Sequence, residues 1–482
     1  MSTLTYLPHR PEQVLEALRR GEISAIEVAT EQVPDLFLLY ALQSGLLDKL
    51  AHSFPDPRMQ QPEIAPRILL AAGIAGHLAG LYALSQLPYA LHCPKLLAAL
   101  GVQVVVHQPG RGLSRKGTQQ ETAFHGDVVR KLLDQMDKHD SQQGRLPGQT
   151  LLDWYNAHVG YLFCQAADAQ PCVHILDCTD LTVVLRNENY QHSGLTTKNG
   201  KPERGYKLGT LRSLLDEGAL LSGIAWGQIQ EADLCVTQDL VRRSAHLRPG
   251  DILVEDRGFI DAATINHLKQ ERGVDVYTGL KKDMLLLRGA IAQARSNPGD
   301  WQAHPTRKAQ QIQRVCALGK LWEGLCVPMN VCVVPEKDKN TGQFEYFGFA
   351  TTDLSASAGQ IITTYQVRPE IEEDYRQLKS ESWQIQHFCA TRLVQILWHV
   401  VLTLLAYNLF QVYANTEAGR RFAGKTKQRL EREQRRSGAV YFLVCTAGAF
   451  GVYEANQILY LLLDLPQEVR QTIRALLQPK LE

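Results

Sequence analysis

The chain of 482 residues carries 51 Lys and Arg against 50 Asp and Glu, with 45% hydrophobic and 21% charged residues. The length exceeds what one compact core accommodates and favours two or three packed units, while the near-average composition excludes disordered, fibrous and disulfide-dense classes. A net charge of +1 gives no support to a chain-wide nucleic-acid surface, so any such surface has to be a local patch.

Residues 1–150 read as mainly helical. Apolar residues recur at helical spacing in Glu12–Arg19, Leu36–Ala51 and Ile68–Leu84, separated by breaks such as Phe54-Pro55-Asp56-Pro57. Gln108–Gln120, with Arg111, Arg115 and Lys116, reads as a loop, and a helix over Phe124–Lys138 leads into the second unit. The N-terminus has no basic region followed by an apolar core, so a secretory signal is not expected. Ten scattered cysteines without a C-x-x-C pair argue against zinc. Cys172, His174 and Cys178 cluster in sequence, but alternation along a strand turns neighbours to opposite faces, and buried reduced thiols are the better reading.

From residue 151 the pattern becomes β-rich: Val173–Asp177, Leu181–Leu185, Tyr206–Leu214, Ala219–Ile224, Ile252–Glu255 and Val274–Thr278. Turn signals at Asp216-Glu217-Gly218 and Arg248-Pro249-Gly250 and a helical stretch at Asp233–Ala245 lie among them. Three strands joined by short turns, then alternating helix and strand, is the order of a ribonuclease H-like sheet. Residues 281–354 interrupt it with Trp301, Trp322 and a hairpin over Val327–Val334 and Glu345–Thr352, which reads as an insertion. Ser357–Lys379 and Thr391–Ala414 are mainly helical, and the end of the chain is again helical after a basic segment. Leu393–Ala414 carries Gln395, His399 and Asn408, and Ala439–Tyr453 is short for a span. Both read as buried helices, with no membrane partner. The expected class is therefore α/β, a ribonuclease H-like mixed sheet with a β-containing insertion, preceded and followed by mainly helical regions. Its expected boundaries are 1–150, 151–280, 281–354, 355–415 and 416–482.

Asp177 ends the run Val173-His174-Ile175-Leu176 and Asp256 ends Ile252-Leu253-Val254-Glu255, so each is placed where a buried strand surfaces. Carboxylates converging from neighbouring strand ends suit Mg²⁺ or Mn²⁺, and two such ions about 4 Å apart can activate an attacking oxygen and stabilise a leaving one. Taken singly, a strand-end aspartate is more often a turn former or helix cap, the role expected for Asp180 and Asp261. A third carboxylate raises the first two above that level. Pro369 suits a first helical turn, and Glu370, Glu372, Glu373 and Asp374 suit the positive end of a helix. Within that helix Glu372, Arg376 and Lys379 share one face.

Tyr365, Arg368, Glu372 and Lys379 resemble, in type and interval, the Y-x2-R-x3-E-x6-K signature of DDE transposases of bacterial insertion sequences. Asp177-Cys178-Thr179 is similar to the D-x-T of that family, and Gly250 to Gly258 is similar to its G-D-x4-D-R-G segment. The resemblance implies that Asp177, Asp256 and Glu372 are catalytic and bind two divalent ions, Mg²⁺ or Mn²⁺, per active site. It also implies that Tyr365, Arg368 and Lys379 contact DNA at the element's ends, with Arg376 a further contact on the same helical face and Arg257 in the D-R-G segment beside them. Trp322 or Trp301 is expected to stack on a flipped base. The implied activity is cleavage at element ends and strand transfer into target DNA. The implied partner is double-stranded DNA, terminal repeats and target alike, bound by a homodimer in a synaptic complex in the bacterial cytoplasm, associated with the nucleoid.

Two basic segments supply the expected DNA patches. Between Arg420 and Arg436 stand eight cations, Lys425 and Lys427 among them, against Glu431 and Glu433. The loop from Thr196 to Lys207 carries Lys198 and Lys201 close to Asp177 in sequence. The N-terminal helices are expected to bind the repeats, without a legible helix-turn-helix. The competing readings are a metal-dependent nuclease on the same fold that performs no strand transfer, a catalytically retired DNA-binding descendant, and a helical scaffold.

Overall fold

In the computed structural model the described residues are 6–30, 33–58, 62, 64–91, 93–101, 104–105, 124, 126–162, 172–215, 218–307, 310–337, 342–427, 429 and 440–477. The loop expected at 108–120 and most of the basic run at 428–436 lie outside them. The chain is 45% helical and 22% strand. It divides into two compact units, Tyr155–Ser380 and a second built from Met1–Trp154 with Glu381–Glu482.

The unit Tyr155–Ser380 is built on one ten-stranded mixed sheet. Its strands are β1 (Val173–Val183), β2 (Gly194–Lys198), β3 (Lys201–Leu215), β4 (Gly218–Gln228), β5 (Ile252–Glu255), β6 (Asp275–Gly279), β7 (Gln302–Ala303), β8 (Gln311–Val315), β9 (Asn330–Lys337) and β10 (Phe344–Thr351). The order is β7-β8-β9-β10-β6-β5-β1-β3-β2, with β4 also paired to β3. β4, β3 and β1 run antiparallel, whereas β1, β5 and β6 run parallel. This arrangement is ribonuclease H-like. β5 and β6 are buried almost throughout, as expected of parallel strands covered on both faces, which explains the apolar run Ile252-Leu253-Val254 in β5 and the buried Val276 and Tyr277 in β6. The helices of this unit are α1 (Asp233–Arg243), α2 (Ala262–Gln270), α3 (Leu285–Ser296), α4 (Ala358–Tyr365) and α5 (Glu370–Leu378). Residues 281–354 supply α3 and the four strands β7 to β10, and β10 pairs antiparallel with β6 at Ala350↔Thr278. These strands extend the edge of the central sheet.

Two local features differ from expectation. The two strands expected at Val173–Asp177 and Leu181–Leu185 are one continuous strand, because β3 pairs with it from Val173↔Leu214 to Val183↔Arg204. The ladder carries the backbone straight through the polar run, so Asp177 lies within β1, not at its end. Asp180 is likewise inside the strand and forms no turn; its carboxylate pairs with Lys198 at 3.3 Å. Asp261, by contrast, caps α2, accepting from the Thr264 amide at 2.8 Å. The loop bearing Lys198 and Lys201 is a tight β2–β3 hairpin. Asn199 and Gly200 adopt φ of 51° and 75°, the left-handed pair that a two-residue turn matched to strand twist requires.

In the other unit the apolar helix Leu393–Asn415 is the buried centre, and His399 and Asn408 are buried on it. The helix Pro66–Ala79 packs on it closely enough that a Cβ at Gly73 would collide with the Leu402 side chain. Ala439–Tyr453, expected to be a helix, is instead a hairpin of Val440–Cys445 and Phe450–Glu454. Its aromatic and branched residues find their ladder in Ala25–Thr30, more than four hundred positions upstream, so the expected mainly helical termini share a three-stranded antiparallel sheet. Ala455–Asp464 and Gln467–Leu477 then close the described chain as helices.

Candidate active site

Parallel pairing sets Leu176 opposite Glu255, so the residues that follow, Asp177 within β1 and Asp256 just past the end of β5, stand side by side. Each carboxylate turns back onto the next amide: Asp177 Oδ1 accepts from Cys178 at 2.8 Å and Asp256 Oδ1 from Arg257 at 2.7 Å. Glu372 arrives from the first turn of α5, whose N-terminal end carries Glu370, Glu372 and Glu373 as the helix dipole favours. The three meet at Arg368. Its guanidinium lies 2.7 Å from Glu372 Oε1, 3.5 Å from Asp177 Oδ2 and 3.8 Å from Asp256 Oδ2. Burial pushes the Asp177 carboxyl up to about 6, with the charges of Asp256 and Glu372 adding to the rise and the Cys178 amide and Arg368 opposing it.

Tyr365, at the end of α4, points its hydroxyl at Asp256 Oδ1 from 3.4 Å, with its ring against Phe349 at 4.7 Å. Burial, and then the Asp256 charge, push this phenol up to about 12. Arg257 is exposed beside Asp256. Lys379 caps α5 away from the three carboxylates, near Asp180, Lys198 and Glu203, and burial pushes its amine down. It therefore shares a neighbourhood with Lys198, while Lys201 stands exposed across the hairpin turn. Arg376 does not face Glu372: it forks onto Glu373 at 2.7 and 2.5 Å, because Glu372 is engaged by Arg368 one turn earlier. Trp322 is half-buried against two apolar clusters, and Trp301 against one of them.

In the other unit Lys425 is half-buried. Lys427 corrects an expectation. It is 4% exposed, its ammonium donates to the carbonyls of His77 at 2.7 Å and Ser382 at 2.5 Å, and it lies 4.7 Å over the Trp383 ring. A cation so committed holds the fold and is not available to a phosphate. A charged run gave no sign of this, since burial of a lysine depends on partners remote in sequence.

Sequence reasoning also missed what holds α5. Arg212, on β3 and nearly buried, donates to Asp374 Oδ2 at 2.5 Å and to Glu370 Oε2 at 2.8 Å. The Tyr375 hydroxyl donates to the Asp177 carbonyl at 2.8 Å and lies 2.6 Å from Thr210 Oγ1. One signal was present: an arginine inside the apolar run of β3 requires buried anionic partners.

Among the described residues no group of three His, Cys, Asp or Glu is gathered to grip an ion as it stands. The donor chemistry nevertheless fits a hard divalent cation. Three carboxylates surround one position, that position is held by a cation of the protein itself, and the most buried of the three has a pKa raised chiefly by burial, with a smaller rise from the other two.

A ribonuclease H-like sheet that brings Asp177 and Asp256 together beside Glu372 is the arrangement of the nuclease and transposase class of enzyme. The model of the family described as the transposase DDE domain matches residues 168–409, half of the chain, and the chain belongs to that family. Members act on DNA and generally use divalent metal ions. Among the curated proteins, none matches the chain.

Proposed function

We propose that the protein cleaves DNA at the ends of a mobile element and joins those ends to target DNA, with Asp177, Asp256 and Glu372 as the catalytic carboxylates. The observation that carries this reading is the convergence of all three on the Arg368 guanidinium. Two Mg²⁺ or Mn²⁺ ions bound there would activate the attacking oxygen and stabilise the leaving one. The chain's own residues do the rest. Asp177 and Asp256, fixed by strand register, and Glu372, on the following helix, supply hard oxygen donors from two rigid elements. Arg368 exchanges its carboxylate contacts for a phosphate of the bound strand, and Tyr365 and Arg257 line the same approach beside Asp256. Lys379, Lys198 and Lys201 track the backbone further along, with Arg376 at the exposed face of α5 and Lys425 as a separate basic contact. Trp322 is the candidate for stacking on a displaced base. A homodimer that holds two ends together is the working assembly. Positioning of this kind supplies much of the catalysis in phosphoryl transfer.

Incubation of labelled element ends and a target plasmid with Mg²⁺ tests the reading. Joined products are expected; hydrolysis without joining would assign the site to a nuclease, and end binding without cleavage to a retired DNA-binding protein.

A further inference from the structure

We propose that Tyr375 and Arg212 are positioning residues that set the distance between Glu372 and the two aspartates, and with it the affinity for the metal. This rests on the reading of the three carboxylates given above. Glu372 stands on a nine-residue helix that reaches the sheet through its side chains, so its reach toward Asp177 depends on what fixes that helix. Two ties do so, and both run to β3, the strand laddered to Asp177.

The first tie is a phenol at a cross-strand pair. Thr210 is the β3 residue directly opposite Asp177, and the Tyr375 hydroxyl touches both members of the pair, the Thr210 hydroxyl at 2.6 Å and the Asp177 carbonyl at 2.8 Å. Tyr375 lies three residues beyond Glu372 and is buried, so its hydroxyl ties the helix to the backbone atom of the residue whose carboxylate must meet Glu372. The second tie fixes rotation. Arg212, two residues along β3 from Thr210, spans Glu370 and Asp374, which are one turn apart and bracket Glu372 in sequence. A planar guanidinium bonding two carboxylates one turn apart leaves the helix little freedom to roll, a constraint that a single ammonium cannot reproduce. Neither residue faces the position held by Arg368; both act through Glu372 and Asp177.

The test is Mn²⁺ binding to the full-length, DNA-free protein, followed by the electron paramagnetic resonance of free Mn²⁺, with melting temperature measured in EDTA. Asp256→Asn identifies binding at the carboxylates. Tyr375→Phe removes one hydroxyl, Arg212→Met removes both ion pairs, and Arg212→Lys keeps the charge without the fork. Partners that orient metal ligands are typically worth about 10- to 100-fold in affinity, so Tyr375→Phe and Arg212→Met are each expected to weaken Mn²⁺ binding at least about tenfold, with Arg212→Lys between Arg212→Met and the parent. Tyr375→Phe is expected to melt within a few degrees of the parent, which keeps the test independent of whether Arg212→Met folds. Parent-like Mn²⁺ affinity in Tyr375→Phe overturns the proposal. Absence of any Asp256-dependent Mn²⁺ binding in the parent overturns the metal reading itself, and the positioning roles with it.

Discussion

Asp177→Asn removes a charge and keeps the shape, and it is expected to stabilise the metal-free protein while abolishing metal binding. Burial raises the Asp177 carboxyl from its usual 3.8 to about 6. At about 1.36 kcal/mol per pH unit, holding it ionised in the folded state costs about 3 kcal/mol at neutral pH, with the attraction of Arg368 already inside that figure. The sign follows from the raised value: the cost is absent below pH 3.8 and reaches its full size as pH rises through 6. The asparagine carbonyl can still accept from the Cys178 amide, so little is lost in exchange. For a unit of this size about 3 kcal/mol corresponds to roughly 6–12 °C in melting temperature. Thermal melts in EDTA at pH 7.5 should therefore place Asp177→Asn above the parent, with the gap narrowing as pH falls toward 4. Saturating Mg²⁺ should raise the parent and leave the variant unmoved, since a ligand stabilises only the state that binds it. A variant that melts at or below the parent in EDTA, or that gains as much from Mg²⁺, would refute the reasoning.

Gly279→Ala places a Cβ 2.9 Å from the Tyr365 hydroxyl and displaces it from Asp256; end cleavage is expected to fall about 10- to 100-fold with melting nearly unchanged, and an unaltered rate would show that this contact is not used. Lys427→Met removes two charge-assisted hydrogen bonds to buried carbonyls and is expected to cost about 2–4 kcal/mol in denaturant unfolding. Its DNA affinity should keep the parent's salt dependence, whereas loss of a phosphate contact would lower the slope by about one. Gly200→Ala strains a residue at φ 75° in the β2–β3 turn and is expected to cost about 1 kcal/mol, read as a shift in denaturation midpoint.

The elements that were legible in the sequence are those whose structure is decided locally. β5 occupies the residues expected, because a strand buried on both faces needs an unbroken apolar run and a polar residue ends it. α5 was legible because acids gather where a helix dipole favours them. What escaped depends on partners far along the chain. β1 runs through Asp177 because β3 is long enough to pair with all of it. The hairpin at Val440–Glu454 exists because Ala25–Thr30 completes its sheet, and a short apolar segment alone does not distinguish strand from helix. Of the candidate site, the carboxylates and the Tyr365, Arg368 and Glu372 frame were legible through their resemblance to the Y-x2-R-x3-E-x6-K, D-x-T and D-R-G segments of the family, which strand ends and helical spacing alone left undecided. The ties through Arg212 and Tyr375 span about 160 and 200 positions and leave no periodic trace. Lys427 and Arg376 show the same limit for charges: the sequence supplies the cation, and the fold selects its partner.

The most direct measurement is single-turnover joining of pre-cleaved element ends in Mg²⁺ by the parent and by Asp177→Asn, Asp256→Asn and Glu372→Gln, with end binding measured in parallel. Three carboxylates sharing one metal site should fail together: all three variants are expected to bind ends and to join them at least about a thousandfold more slowly than the parent. Parent-like joining by any one of the three would contradict the assignment.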